Sequence, residues 1–150
     1  MMGRWGRGVG LLVLVVGFTA CKSMEAPPKE ATLYQRLGGR EGIALVVDDF
    51  VANMAADARV NERFKGMPPP AIAKFRSNLS DQLCDATGGP CAYLGRDMKT
   101  THRGMKITEA EWNATVENLV KALDKRNVAA REKNELLGAL GPMKADIVGQ

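Results

Sequence analysis

An all-α domain is what this sequence predicts, and three observations predict it. Apolar residues recur at helical spacing in four separate stretches. Two helix starts carry capping boxes. No stretch alternates apolar and polar residues in the way a half-buried strand does. The 150 residues fit one such domain behind a short leader.

The leader comes first. Arg4 and Arg7 form a positive start, and Val9 to Phe18 is an apolar run too short for a comfortable membrane span. "FTAC", Phe18 to Cys21, then puts small residues before a cysteine. This resembles the lipobox of bacterial lipoproteins, with Phe18 where leucine is usual. The resemblance implies a lipoprotein signal peptide over residues 1–20, cleavage before Cys21 and a lipid anchor to the membrane through that thiol. A plain signal peptide and an uncleaved anchor are the alternatives. Residues 21–31 are polar, carry a double proline, and read as a tether. Lys22, not aspartate, follows the cysteine. By the Gram-negative sorting pattern this implies the periplasmic side of the outer membrane.

The domain spans residues 32–150. Thr32 and Gln35 make the first capping box, and Gly38 or Gly39 supplies a left-handed stop. A helix is predicted from about Arg40 to Ala56, with Ile43, Val46, Val47, Phe50, Val51 and Met54 on one face. The pattern breaks into a turn carrying Val60 and Phe64. Of the three prolines at Pro68 to Pro70, the last can open the next helix. That helix aligns Ile72, Phe75, Leu79 and Leu83 and ends at Thr87 to Gly89. After a loop, a brief helical turn places Met98 and His102 on the same side. Thr108 and Glu111 form the second capping box, which opens a helix with Trp112, Val116, Leu119, Val120 and Leu123 on one face. The last helix starts near Ala129 and carries Leu136, Leu140, Met143 and Ile147, with Pro142 expected to bend it.

Charge and rare residues narrow the function. Arg4 and Arg7 account for two of 21 basic side chains, leaving 19 against 17 acidic ones. That balance, with no basic run interleaved with aromatics, argues against nucleic acid as a partner. Asp48, Asp49 and the acids near Thr108 read as solvated faces and caps. Cys84 and Cys91 either form a disulfide outside the cytoplasm or remain two buried thiols. No CxxC or CxxCH motif exists, which argues against tetrahedral zinc and covalent c-type haem. The chain holds a single histidine, His102, so two histidine ligands cannot come from one chain.

"TLYQRLGGREGIALVVDDFVANM", Thr32 to Met54, and "ATGGPCAYLGRDMKTTHRGMKIT", Ala86 to Thr108, together resemble the group 1 truncated haemoglobins. These are shortened globins of two-over-two helix arrangement. The double glycines Gly38–Gly39 and Gly88–Gly89 and the "GRDMKTTH" run carry the likeness, which extends over about Thr32 to Val148. It implies haem b held non-covalently, with His102 as the proximal ligand to iron, a role suited to neutral imidazole. It places Phe64 against the haem face, Met98 on the proximal side, and Phe75, Leu79 and Leu83 on the distal helix. Ile107, Trp112, Val116, Leu119 and Ile147 complete the implied wall. Lys74, Arg76 and Lys99 are candidates for the propionates, or else ordinary solvated charge.

The departures from the family pattern concern the bound gas. Group 1 members usually set a tyrosine over the ligand, and Val51 takes that place here. They often set a glutamine on the distal helix, and Leu79 takes that place. The distal pocket is therefore expected to be apolar at both places; Asn78 and Gln82 lie on the surface or, under a one-residue shift after the prolines, reach inward. The implied function is reversible binding of a diatomic gas: oxygen, nitric oxide or carbon monoxide. The alternatives are a nitric oxide dioxygenase or peroxidase-like haem enzyme, the former served by a reductase partner, and a haem-free helical interaction lipoprotein.

Overall fold

Both capping boxes form in the computed structural model, which describes residues 30–150. The expected signal peptide, Cys21 and most of the tether lie outside the described residues. Helix α1 spans Leu33–Arg36. The Gln35 backbone N–H donates to Thr32 Oγ1 at 3.3 Å and the Thr32 N–H donates to Gln35 Oε1 at 2.9 Å. Gly38 and Gly39 then sit at φ +87° and +66°, backbone that L side chains avoid. This sharp turn starts helix α2, Gly39–Ala56.

A short 3-10 turn at Asn61–Arg63 follows, and then α3, Pro69–Ala86. Pro68 caps α3 and Pro69 and Pro70 occupy its first turn, where no N–H is needed. The helix therefore opens one residue before the expected Pro70. Helix α4 is Met98–His102, capped by Asp97, whose carboxylate accepts the Thr100 N–H at 2.8 Å. Helix α5 is Glu109–Lys125 and α6 is Ala130–Leu140. The expectation of a single bent last helix is corrected here. Pro142 lies in a separate 3-10 turn, Gly141–Asp146, because it has no N–H to continue the α-ladder. The only extended pairing among the described residues is an isolated parallel bridge between Ile107 and Val148.

Helix α2 is the centre of the packing, flanked by α3 and α5. Its stripe of Ile43, Val46, Val47, Phe50, Val51 and Met54 is buried throughout. Helix α6 closes against α1 and α3, and the last 3-10 turn supports α4.

Polar clamps fix the α2–α5 contact. Asp49, expected to be solvated, is buried instead, with Lys125 Nζ at 2.6 Å and Arg126 Nε at 2.5 Å from its carboxylate oxygens. The buried Asn118 amide donates to Asp57 at 2.7 Å, and Arg59 grips the same carboxylate at 2.7 Å. Hydrogen bonds from Lys125 and Arg126 hold the Asp49 carboxyl below the usual carboxylate range. Those from Arg59 and Asn118 do the same, more strongly, for Asp57. A carboxyl depressed in the folded state adds stability above its unfolded value, about 4, and loses it as pH falls toward the folded value. Urea midpoints are expected to drop progressively below about pH 4. The Asp57→Asn variant should show a flatter drop; an unchanged pH profile would remove Asp57 from this account.

Candidate functional site

The inner faces of α2, α3, α4 and α5, with the C-terminal turn, enclose a cavity of about 660 Å³. That size is typical of cofactor sites, about 300–1,000 Å³. Its wall is mainly apolar. Val47, Phe50 and Met54 enter from α2, and Phe75, Leu79 and Leu83 from α3. Phe64 stands between those helices, its ring 5.7 Å from that of Phe75. Met98 and His102 enter from α4, and Ile107 from the segment after it. Trp112, Val116 and Leu119 line the cavity from α5, and Ile147 from the C-terminus. The Ile107–Val148 bridge and the Gly149 N–H to Ile107 carbonyl bond at 2.9 Å fasten that C-terminus beside α4.

His102 has one ring nitrogen engaged. Nδ1 lies 2.8 Å from the Met98 carbonyl, one helical turn back. A carbonyl only accepts, so Nδ1 carries a proton, and in the neutral imidazole Nε2 then keeps its lone pair. This is the tautomer and orientation that a ligating imidazole needs. Among the described residues no three histidine, cysteine or carboxylate side chains cluster to hold a bare metal ion.

Three sequence readings, two of them left open by the residues, meet the structure here. Asn78 and Gln82 line the cavity rather than the surface, and Gln82 Nε2 lies 3.3 Å from the sulfurs of both Met98 and Met143. Val51 is buried in the core but is not part of the cavity wall; Phe50 is. Lys74, Arg76 and Lys99 are exposed and are not among the residues lining the cavity, and Arg76 faces Asp48 at 3.5 Å. The cations along the wall are Arg63, Arg96 and Lys144. Arg63 pairs with Glu111 at 2.7 Å and donates to the Met105 carbonyl at 2.8 Å, and Lys144 pairs with Glu109 at 2.6 Å. Arg96 has no carboxylate partner among the described residues. Helical charge spacing could not have found these, since none of the three lies in the amphipathic pattern of α3 or α5.

The loop that delivers α4 is pinned. Cys84 and Cys91 are joined as a disulfide, Tyr93 N–H donates to Asp85 at 3.2 Å, and the Tyr93 hydroxyl donates to the Arg96 carbonyl at 2.9 Å. Closing so short a loop stabilises by about 2.5 kcal/mol in the chain-entropy model. Reduction is expected to lower the unfolding free energy by about 2 kcal/mol in urea titrations. An identical midpoint with and without reductant would show that the bond adds nothing.

Residues 32–148 match the model of the family described as bacterial-like globin. The chain belongs to that family. This globin is 30% identical over 117 residues to the group 1 truncated hemoglobin GlbN of Mycolicibacterium paratuberculosis, covering 78% of this chain and 84% of that protein. It is 31% identical over 120 residues to GlbN of a Nostoc species, covering 80% and 99%. The Fe(III) crystal structure of truncated hemoglobin from Tetrahymena pyriformis shares its fold with a TM-score of 0.75 at 28% identity, over 80% of this chain and all of that one. A Synechococcus 2/2 hemoglobin gives 0.72 at 30% identity, over 79% and 98%. The globin therefore has the truncated two-over-two fold, and haem iron is its cofactor.

Proposed function

We propose that this globin holds haem b non-covalently through His102 Nε2 and reversibly takes a diatomic gas on the opposite side. Its single histidine facing a largely apolar cavity, with Nδ1 already tied to a carbonyl, carries the reading. When bound, the haem supplies an iron coordination position for oxygen, nitric oxide or carbon monoxide. Phe64, Phe75, Leu79, Trp112 and Ile147 wall the macrocycle and limit water. Arg96, without a carboxylate partner among the described residues, and Lys144 line the cavity and would be the cations that meet its propionates.

Absorption spectra of the purified protein in ferric, ferrous and carbon monoxide forms test this. A Soret band that shifts on reduction and again on carbon monoxide is expected. Its absence after expression with ample haem would overturn the proposal.

The leader supports a further reading: Cys21 carries lipid and tethers the globin at the cell envelope, on the periplasmic side of the outer membrane in a Gram-negative host. The Cys84–Cys91 disulfide fits such an oxidising compartment. Cys21→Ala should release the protein from the membrane fraction and remove the lipid mass from its N-terminus. An unmodified Cys21 in the wild-type protein would refute the anchor.

A further inference from the structure

Every methionine among residues 30–150 lines this one cavity: Met54, Met67, Met98, Met105 and Met143. A thioether is a flexible gap-filler, but it is also a soft ligand for haem iron. The sulfurs are not equivalent. Met98 and Met143 share the Gln82 amide, each at 3.3 Å. The Met54 sulfur receives the buried Asn118 amide at 3.7 Å. Met105 belongs to the same side as His102, since its N–H bonds the His102 carbonyl at 2.9 Å. Met67 comes from the segment between α2 and α3, not from α4 or the C-terminal turn, and its sulfur has no hydrogen bond among the described residues.

Its backbone setting allows reach. The Met67 N–H bonds the Phe64 carbonyl at 3.1 Å, which places it beside the Phe64–Phe75 pair where α2 gives way to α3. Gly66 precedes it at φ +75°, with nothing within 4 Å of where a Cβ would be, and the Pro68 cap follows. Competition on that wall is weak. Leu79 offers no donor atom, Val51 is outside the wall, and the amides of Asn78 and Gln82 are poorer iron ligands than a thioether.

We infer that Met67 Sδ is the sixth ligand of the iron in the gas-free protein, opposite His102. The inference rests on the haem reading above. The sulfur donates a lone pair and no electron changes hands; an incoming gas displaces it, and its release exposes the coordination position. A histidine–methionine pair favours the ferrous state, the state that takes oxygen and carbon monoxide.

The test is the absorption and near-infrared magnetic circular dichroism of the ferric holoprotein at neutral pH. A six-coordinate low-spin spectrum with a thioether-to-iron charge-transfer band is expected. Met67→Leu, a volume-conserving change, should convert it to a high-spin spectrum at unchanged haem content. It should also speed carbon monoxide binding to the ferrous protein about tenfold, since the competent fraction rises. Met54→Leu and Met105→Leu should keep the low-spin band. A high-spin wild-type spectrum overturns the inference while leaving the haem reading intact, and so does a low-spin band that survives Met67→Leu. If the leucine variant fails to hold haem, the wild-type charge-transfer band decides alone: its presence supports the thioether and its absence refutes it. A protein with no Soret band refutes the haem reading itself.

Discussion

His102→Ala is expected to give a folded protein that no longer retains haem. The fold should survive because little of it depends on this ring. Helix α4 is nucleated by the Asp97 cap, and the loop before it is fastened by the Cys84–Cys91 disulfide. The imidazole is half-buried at the helix end, outside the tightly packed core around Val47, Leu123 and Leu136. Haem capture should not survive. The apolar wall still attracts a porphyrin, but without the imidazole the iron loses its strongest ligand, and a lone thioether holds it weakly. Loss of a partner that merely orients a metal ligand costs about 10–100-fold in affinity, so loss of the ligand should cost more. The measurement is haem stoichiometry after gel filtration, beside far-ultraviolet circular dichroism. His102→Gly with added imidazole should regain a Soret band, because the cavity admits a free ring where the side chain was. Unchanged haem content in the alanine variant would show that another group holds the iron. The carbonyl of Met98 gives a second arm: a substitution that breaks the α4 turn should weaken haem binding while leaving His102 present.

Much of this was legible in the residues. Capping boxes at Thr32 and Thr108 are chemical signals that need no tertiary context, and both form as expected. The stripe of α2 was equally plain, because every member is apolar and every member is buried. The spacing of Met98 and His102 set them one turn apart, and the carbonyl bond at Nδ1 follows from that turn. The unread parts share a cause. Periodicity defines an inner face by its apolar members, so it leaves open whether Asn78 and Gln82, beside Leu79 at helical spacing, turn inward. Asp49 looked solvated because its clamps, Lys125 and Arg126, come from the far end of α5. Met143 and Ile147 continue the spacing of α6, but a 3-10 turn also returns side chains to one side. The spacing therefore could not reveal that the α-helix stops at Leu140. The family likeness sets Val51 over the ligand, yet Phe50, its neighbour, lines that stretch of wall.

Leu79→Gln should slow oxygen release about tenfold. In ferrous haem proteins oxygen acquires partial negative charge, and a donor amide nearby stabilises it. Leu79 is half-buried and lines the cavity from the middle of α3, so a glutamine there can turn its amide inward without displacing backbone. One hydrogen bond contributes about 1 kcal/mol net and more when the acceptor carries charge, and about 1.4 kcal/mol is a factor of ten. Carbon monoxide is less polar, so its release should change far less. The ratio of the two effects separates a hydrogen bond from simple crowding, which would alter both gases alike. Release rates suit the question because they begin from the gas-bound protein, whatever occupies the iron beforehand. Gln82→Leu is the complementary variant. The Gln82 amide rests between the sulfurs of Met98 and Met143, both weak acceptors, so little holds it from turning toward a stronger one. If wild-type oxygen release is already slow and Gln82→Leu speeds it, the polar control sits one turn farther along α3 than the family pattern places it. If neither variant moves the rate, neither position 79 nor Gln82 governs the bound gas, and Asn78 is the remaining amide of α3 on the wall.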